Sequence, residues 1–330
     1  MNICNFIKKM NILSKLENFV TKTFKTTLDV FLDAIKMSPN AQGYVNGSIT
    51  ELLLKQHLEK FNFEAKRIKE KWEGEKHSNH KGDLYFKKNG TNNWYVLESK
   101  GVKSNTEDWN KLYNYNTLKN FFINNSEIIS WINQEENIEN QVINWIEVNL
   151  PEFTKEGRYS IPLYKFNEIQ KYVFTERKSA KREIMANLIA YTRDEINVMI
   201  EERIKYLQTK VRVLDTHLVS GTSKSNDREQ NTPRKDEFNI LSVDIALRYT
   251  EHKFYFTNPK NLDSSTSNEF HLQQNYIMGF IFTNANGEIK IDLTDDWYEN
   301  FDDAFNTLSP NDSINENEMQ IDNRNIIIVN

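Results

Sequence analysis

Gly82-Asp83 and, after fourteen intervening residues, Glu98-Ser99-Lys100 are the side chains whose types and spacing best suit a chemical step. Two carboxylates within reach of each other can hold one hard divalent cation. Magnesium takes oxygen ligands, keeps several waters, and binds through one or two carboxylates together with a substrate phosphate. Held by Asp83 and Glu98, it would polarise a phosphate and ease deprotonation of a bound water. A lysine beside it, Lys100, could orient or help deprotonate that water, or offset charge building on the phosphate. Hydrolysis of a phosphodiester needs no organic cofactor beyond such a set.

The spacing matters only if two strands carry these groups. Leu84-Tyr85-Phe86 and Trp94-Tyr95-Val96-Leu97 are aromatic and β-branched runs of strand type. Asn89-Gly90 lies between them and favours a tight turn, because both positions accept positive φ. A two-residue hairpin there predicts Lys88 opposite Thr91, Tyr85 opposite Trp94 and Asp83 opposite Val96. Side chains alternate with period two, so Val96, Glu98 and Lys100 share a face with Asp83. Glu98 becomes a diagonal neighbour of Asp83, roughly 7–8 Å away at the backbone. A slip of one residue would send the groups to opposite faces.

An acidic-x-Lys triplet by itself is weak. Glu64-Ala65-Lys66 and Glu288-Ile289-Lys290 repeat it and are expected to be chance matches on surface strands or helices. Context separates Glu98–Lys100: a Gly-Asp precedes it, and the carboxylate ends a nearly apolar run, where a charge needs a partner or a metal. The bland alternative is an exposed hairpin edge on which Glu98 pairs with Lys100 or Lys81. Upstream, the first forty residues read as helix through Ile12, Leu16, Phe19 and Val20, continued by Leu28, Phe31, Leu32 and Ile35. Pro39 and Gly43 break that pattern. A second helix is expected from Ser48, where Ser48-Ile49-Thr50-Glu51 fits a capping box.

Asp83…Glu98-Ser99-Lys100, with a glutamate-bearing helix upstream, resembles the PD-(D/E)XK nuclease superfamily, and type II restriction endonucleases within it. Glycine stands at position 82 in place of the motif's proline. The likeness covers roughly residues 45–105 in motif terms. It implies an α/β fold, a mixed central sheet flanked by helices with the motif on a central hairpin. It also implies magnesium-dependent DNA cleavage by Asp83, Glu98 and Lys100. Glu51 matches the helical glutamate that often leans into such sites, although the capping box accounts for it equally well.

Composition bounds the rest. With 330 residues and 38% hydrophobic content the chain can bury a substantial core. No run approaches the roughly 18 apolar residues of a membrane span, and the N-terminus lacks the continuous apolar core of a secretory signal. One cysteine, Cys4, excludes an intramolecular disulfide and a cysteine zinc site. A cytoplasmic location is the default expectation. Net charge is −5, but its distribution is uneven: residues 171–235 are net +5 and residues 236–330 net −12. Arg177, Lys178, Lys181 and Arg182 crowd one segment, and Lys224, Arg228, Arg234 and Lys235 lie in or beside a polar loop expected over 220–236. These are the candidate DNA contacts, since lysine and arginine bind phosphates and arginine can read guanine edges. A solvated charged helix is the alternative. His271–Tyr276 could supply base-edge donors or simply begin a strand. His77 and His80 are too few for zinc, and Asp295, Asp296, Asp302 and Asp303 lack the spacing of a calcium loop.

Helical patterns are further expected over 105–150 and 176–215, the second with an apolar stripe from Met185 to Leu207. Strands are expected at Ile240–Tyr249, Lys253–Phe256, Tyr276–Thr283 and Ile289–Leu293, with Ile326–Val329 as a closing strand. The expected architecture is a nuclease core with N-terminal helices in residues 1–170. Residues 171–330 would form a helical and C-terminal β region serving recognition or dimerisation. Such a protein would cut double-stranded DNA as a homodimer, because two-fold symmetric sites favour two-fold symmetric proteins. A DNA methyltransferase would be its functional companion rather than a bound subunit. The rivals are a repair or junction-cutting nuclease on the same core, and a non-catalytic DNA-binding protein whose hairpin carboxylates are structural.

Overall fold

Two breaks divide the N-terminal helical region into three pieces. Helix α1 (Ile3–Phe24) ends at Lys25, which takes a positive φ of 56°. Helix α2 (Leu28–Met37) starts on Thr27, whose hydroxyl accepts a hydrogen bond from the Val30 amide. Helix α3 (Pro39–Lys60) starts on Ser38, whose hydroxyl accepts from the Ala41 amide at 3.2 Å. Pro39 fills the first helical position, where its missing N–H costs nothing. The expected start at Ser48 is therefore wrong. Helix α3 runs through Gly43 and Ser48, and the capping box never forms. A mid-helix glycine costs only about 1 kcal/mol, less than α3 gains by burying Leu54 and Leu58 against the sheet.

The computed structural model describes residues 3–69, 82–102, 115–151, 211–216, 218, 233–246, 249, 251–266 and 268–322. The candidate DNA contacts Arg177, Lys178, Lys181, Arg182, Lys224 and Arg228 lie outside the described residues, as do His77, His80 and the Ile326–Val329 strand.

The described chain continues through β1 (Phe63–Arg67), β2 (Leu84–Lys88), β3 (Tyr95–Gly101), α4 (Tyr115–Asn124), α5 (Ile138–Asn149) and β4 (Arg212–Asp215). Then follow β5 (Ile240–Asp244), β6 (Phe254–Thr257), β7 (Ser264–Ser265), β8 (Asn268–Leu272), β9 (Ile277–Thr283), β10 (Ile289–Leu293) and the short α6 (Phe301–Phe305). The strands at 240, 254, 277 and 289 fall where the apolar runs placed them. Residues 212–215 form a strand rather than the end of a long helix, and Glu64-Ala65-Lys66 lies inside β1.

A five-stranded mixed sheet has the order β1-β2-β3-β5-β6. Its first three strands form an antiparallel meander, β5 joins β3 in parallel, and β6 returns antiparallel on β5. A second sheet has the order β10-β9-β4, and β7 pairs β8 apart from both. Three apolar cores stack between these layers. Leu54 and Leu58 of α3 meet Phe63, Phe86, Leu97 and Ile240, with Phe301 of α6 closing that core. On the opposite face Tyr85, Val96, Leu241 and Val243 meet Leu214, Met278 and Ile281 of the second sheet. Beyond it, Phe280 and Phe282 pack on Leu118 and Phe122 of α4 and Val142 and Ile146 of α5. The protein is thus a mixed α/β fold whose central sheet draws strands from both sides of position 170. The central sheet, expected within residues 1–170, is completed by strands from residues 240–257. Among the described residues no helix is long and apolar enough to cross a membrane.

Candidate active site

The hairpin that carries Asp83 and Glu98 forms with a different register from the one a two-residue loop gives. The Asn89-Gly90 turn is present: the Thr91 amide donates to the Lys88 carbonyl at 3.1 Å, and Gly90 takes a φ of +86°. The ladder, however, pairs Tyr85 with Val96 and Leu84 with Leu97. Asn92 and Asn93 add residues on one side of the turn, and Trp94 bridges Ile314 instead of Tyr85. The expected pairing is displaced by two residues. A shift of two preserves the face of every side chain where a shift of one would invert it. Asp83 therefore remains on the face of Val96, Glu98 and Lys100, and it now stands beside Glu98 itself.

Backbone contacts fix Asp83 on three sides. Its amide donates to the Leu97 carbonyl at 2.8 Å, and its carbonyl accepts from the Ile68 amide at 3.0 Å. Its carboxylate accepts from the Ser99 amide at 2.7 Å. Gly82 before it has a φ of +80°, and an added Cβ would lie 2.3 Å from Val96 Cγ1. Proline, locked near −65°, cannot take that conformation. Glycine at 82 is thus required by the backbone in this chain.

Glu98 is 8% exposed. Burial and the nearby Asp83 carboxylate push its pKa up to about 7, against the opposing pull of Lys100. The Lys100 ammonium donates to Glu98 Oε1 and also, at 3.2 Å, to the Ser99 carbonyl. Burial alone would lower the Lys100 pKa, but the Glu98 and Asp83 carboxylates outweigh it and raise it. Lys100 is therefore a firmly held cation, suited to stabilising negative charge and ill-suited to acting as a neutral base at physiological pH. Of the roles open to it from sequence, the electrostatic one fits.

Glu51 comes to this cluster from α3. Its carboxylate pairs with Arg67 Nη2 at 2.9 Å. Burial first, and then repulsion from Asp83, raise its pKa above the usual carboxylate value, while Arg67 and Lys100 oppose them. The capping alternative is gone, and Glu51 shares an electrostatic neighbourhood with Asp83 and Lys100. Arg67 carried no signal in the sequence, because its partner sits on another element and only the β1–α3 packing joins them. Glu237, whose charge raises Glu98 further, was missed for the same reason. Asp244 at the end of β5 ties the neighbourhood together. It is 4% exposed and accepts from Thr50 Oγ1 at 3.0 Å and from the Ala246 amide at 2.9 Å, with His252 Nδ1 at 2.5 Å. Thr50 precedes Glu51, so this network anchors the helix beside the carboxylates.

The donor set suits a hard cation. Three carboxylates, Glu51, Asp83 and Glu98, lie near two cationic groups, and the Glu98 pKa is driven up first by burial and then by the like charge of Asp83. A divalent ion would relieve that repulsion. Among the described residues no group of three or more His, Cys, Asp or Glu side chains is gathered closely enough to enclose a metal. Lys100 already bonds Glu98 Oε1, so an ion held by Glu98 would use the other oxygen or displace the ammonium.

The remaining candidates are placed elsewhere. Arg234 makes a bidentate pair with Asp236 at 2.9 and 2.8 Å and lies over the Phe270 ring. Lys235 donates to the Leu262 carbonyl. These two of the eight candidate DNA contacts, the two that lie among the described residues, thus make internal pairings. His271 and Leu272 belong to β8, and Tyr276 donates to the Asp263 carbonyl at 2.5 Å. Asp295 and Asp296 sit in the turn after β10, and Asp302 pairs with Lys88 at 2.8 Å. A cavity of about 620 Å³ lies beside β6, lined by His57, His252, Trp297 and Glu299 among others. It contains none of Asp83, Glu98 and Lys100. Comparison with known proteins returns no matching family model, no matching curated protein and no matching solved structure.

Proposed function

We propose that the protein is a magnesium-dependent DNA endonuclease with a restriction endonuclease-like core. The observation that carries this reading is the register of the central hairpin, which sets Asp83 beside Glu98 and keeps Lys100 on their face. Connectivity supports it. A mixed sheet with the β2–β3 hairpin inside it, and a glutamate-bearing helix packed on one face, are the parts the sequence resemblance implies. Asp83 and Glu98 would hold the ion, which when bound supplies Lewis-acid polarisation of the scissile phosphate and of a water. Asp83 presents one carboxylate oxygen while the Ser99 amide fixes the other. Lys100 brings a permanent positive charge to the place where the phosphate gathers negative charge. Glu51, held by Arg67 and close enough to Asp83 and Lys100 to feel their charges, would assist at the same cluster.

Incubating supercoiled plasmid with the protein and magnesium tests this. Nicked and linear products are expected with magnesium, none with EDTA, and none from Asp83→Ala or Lys100→Ala. Full cleavage by both variants would remove the site. Discrete fragments from ordinary DNA favour the type II restriction activity, and cutting confined to junctions or damaged DNA favours repair. DNA retention without metal-dependent nicking would leave a binding protein whose Lys100–Glu98 pair is structural.

A further inference from the structure

Among the described residues, the N-terminal helices leave apolar surface uncovered to a degree that the other elements do not. Of the sixteen large hydrophobic side chains exposed among the described residues, thirteen lie between Ile12 and Phe61. Ile12 is 60% exposed, Leu13 51%, Phe19 54%, Phe24 50%, Val30 57% and Met37 56%. At 100° per residue, Ile12, Leu13, Leu16, Phe19 and Phe24 fall within one arc of α1. Among the described side chains of α1 only Val20 is buried, and α2 buries none. Helix α1 rests on α2 and α2 on α3, with Phe24 bridging to Phe31 at 4.8 Å between ring centroids.

A helix that gives its own fold so little burial gains little from being apolar on one face. Eight such side chains on α1 and α2, each about half exposed, leave on the order of 700 Å² of apolar surface before their neighbours on α3 are added. A typical monomer's most extensive patch is roughly 300–600 Å², and a stable dimer needs about 800 Å² from each partner. Ile49, Leu52 and Phe61 of the α3 region bring the face to that size.

Charge indicates what covers it. Lys15 and Lys22 outnumber Glu17 on the described part of α1, and Lys25 follows it. Helix α2 carries Asp29 and Asp33 against Lys36. A two-fold axis that lays α1 of one copy on α2 of the other sets lysines against aspartates twice over. A self-complementary surface of this kind closes with two subunits. We infer that the α1–α2 face is the homodimer interface of this protein, and that its occupant is the same face of a second copy. Each copy would then contribute one central sheet with its Asp83, Glu98 and Lys100, so the dimer would present two cutting sites.

Sedimentation velocity and light scattering on the full chain, without DNA or magnesium, test the inference independently of any nuclease activity. A concentration-dependent dimer is expected for the wild type. Phe19→Glu and Phe24→Glu, both at exposed positions, should weaken it by about tenfold or more, with circular dichroism unchanged. A charge exchange guards against a merely structural effect. Asp29→Lys with Asp33→Lys should yield monomers, as should Lys15→Glu with Lys22→Glu, and mixing the two proteins should restore an association as a heterodimer. A wild-type protein that stays monomeric at every concentration overturns the proposal, whether the face then binds anionic vesicles or another segment of the chain. So does a dimer that survives the glutamate substitutions.

Discussion

Glu98 is the residue on which chemistry and stability meet. Its pKa in the fold lies above its unfolded value, so the folded state holds its proton more tightly. That contribution to stability is fully present below about pH 4.5 and is lost as pH rises through about 7. Glu51 is shifted in the same direction. In EDTA, the thermal midpoint is therefore expected to fall between pH 5 and 8, and Glu98→Gln should flatten that fall. A midpoint that rises over the same interval, or a slope untouched by the substitution, would contradict the burial of this carboxylate. Glu51→Gln makes a graded counterpart to the loss expected at Asp83 and Lys100. It should lower the cleavage rate by about 10–100-fold, the range for a group that supports a metal site without holding the ion, and leave retention of DNA unchanged in a filter-binding assay.

At the scale of the element, Gly82 and the hairpin loop decide the geometry. Gly82→Ala adds a methyl group in a left-handed conformation against the Val96 side chain and the Leu97 carbonyl. Strain and overlap together should cost about 2 kcal/mol or more, read as a lower urea midpoint. Unchanged stability would mean that the backbone at 82 is free to relax. The loop gives an opposite kind of test. Deleting both Asn92 and Asn93 should let the ladder close directly on the turn, with every side chain kept on its face. Deleting one alone should invert the face of Glu98 relative to Asp83, abolishing cleavage and unfolding the hairpin core.

The whole molecule is built as layers that share strands across sequence halves. Strand β3 lies between β2 and β5, and its apolar residues face both the α3 core and the core under the second sheet. A fragment ending at residue 170 would strip β3 of its parallel neighbour and leave Val96 and Leu97 without Leu241, Val243 and Ile240. Such a fragment is expected to show no cooperative thermal transition by circular dichroism. A sharp transition in it would restore the division of the chain at 170.

Local structure was legible in the sequence. Aromatic and β-branched runs located β2, β3, β5, β6, β9 and β10, because strand formation there depends on neighbours a few residues away. The Asn89-Gly90 turn was legible for the same reason, and with it the common face of Asp83, Glu98 and Lys100. Pairing between distant segments was not. Where the ladder resumes after the turn depends on Asn92, Asn93 and the competing bridge from Trp94 to Ile314. Whether Glu51 caps a helix depends on Ser38 and Pro39 supplying a better start ten residues earlier. The join of β5 to β3, the clasp of Asp244 on Thr50, and the Arg67 partner of Glu51 are fixed by which surfaces bury together, and burial is a property of the folded whole.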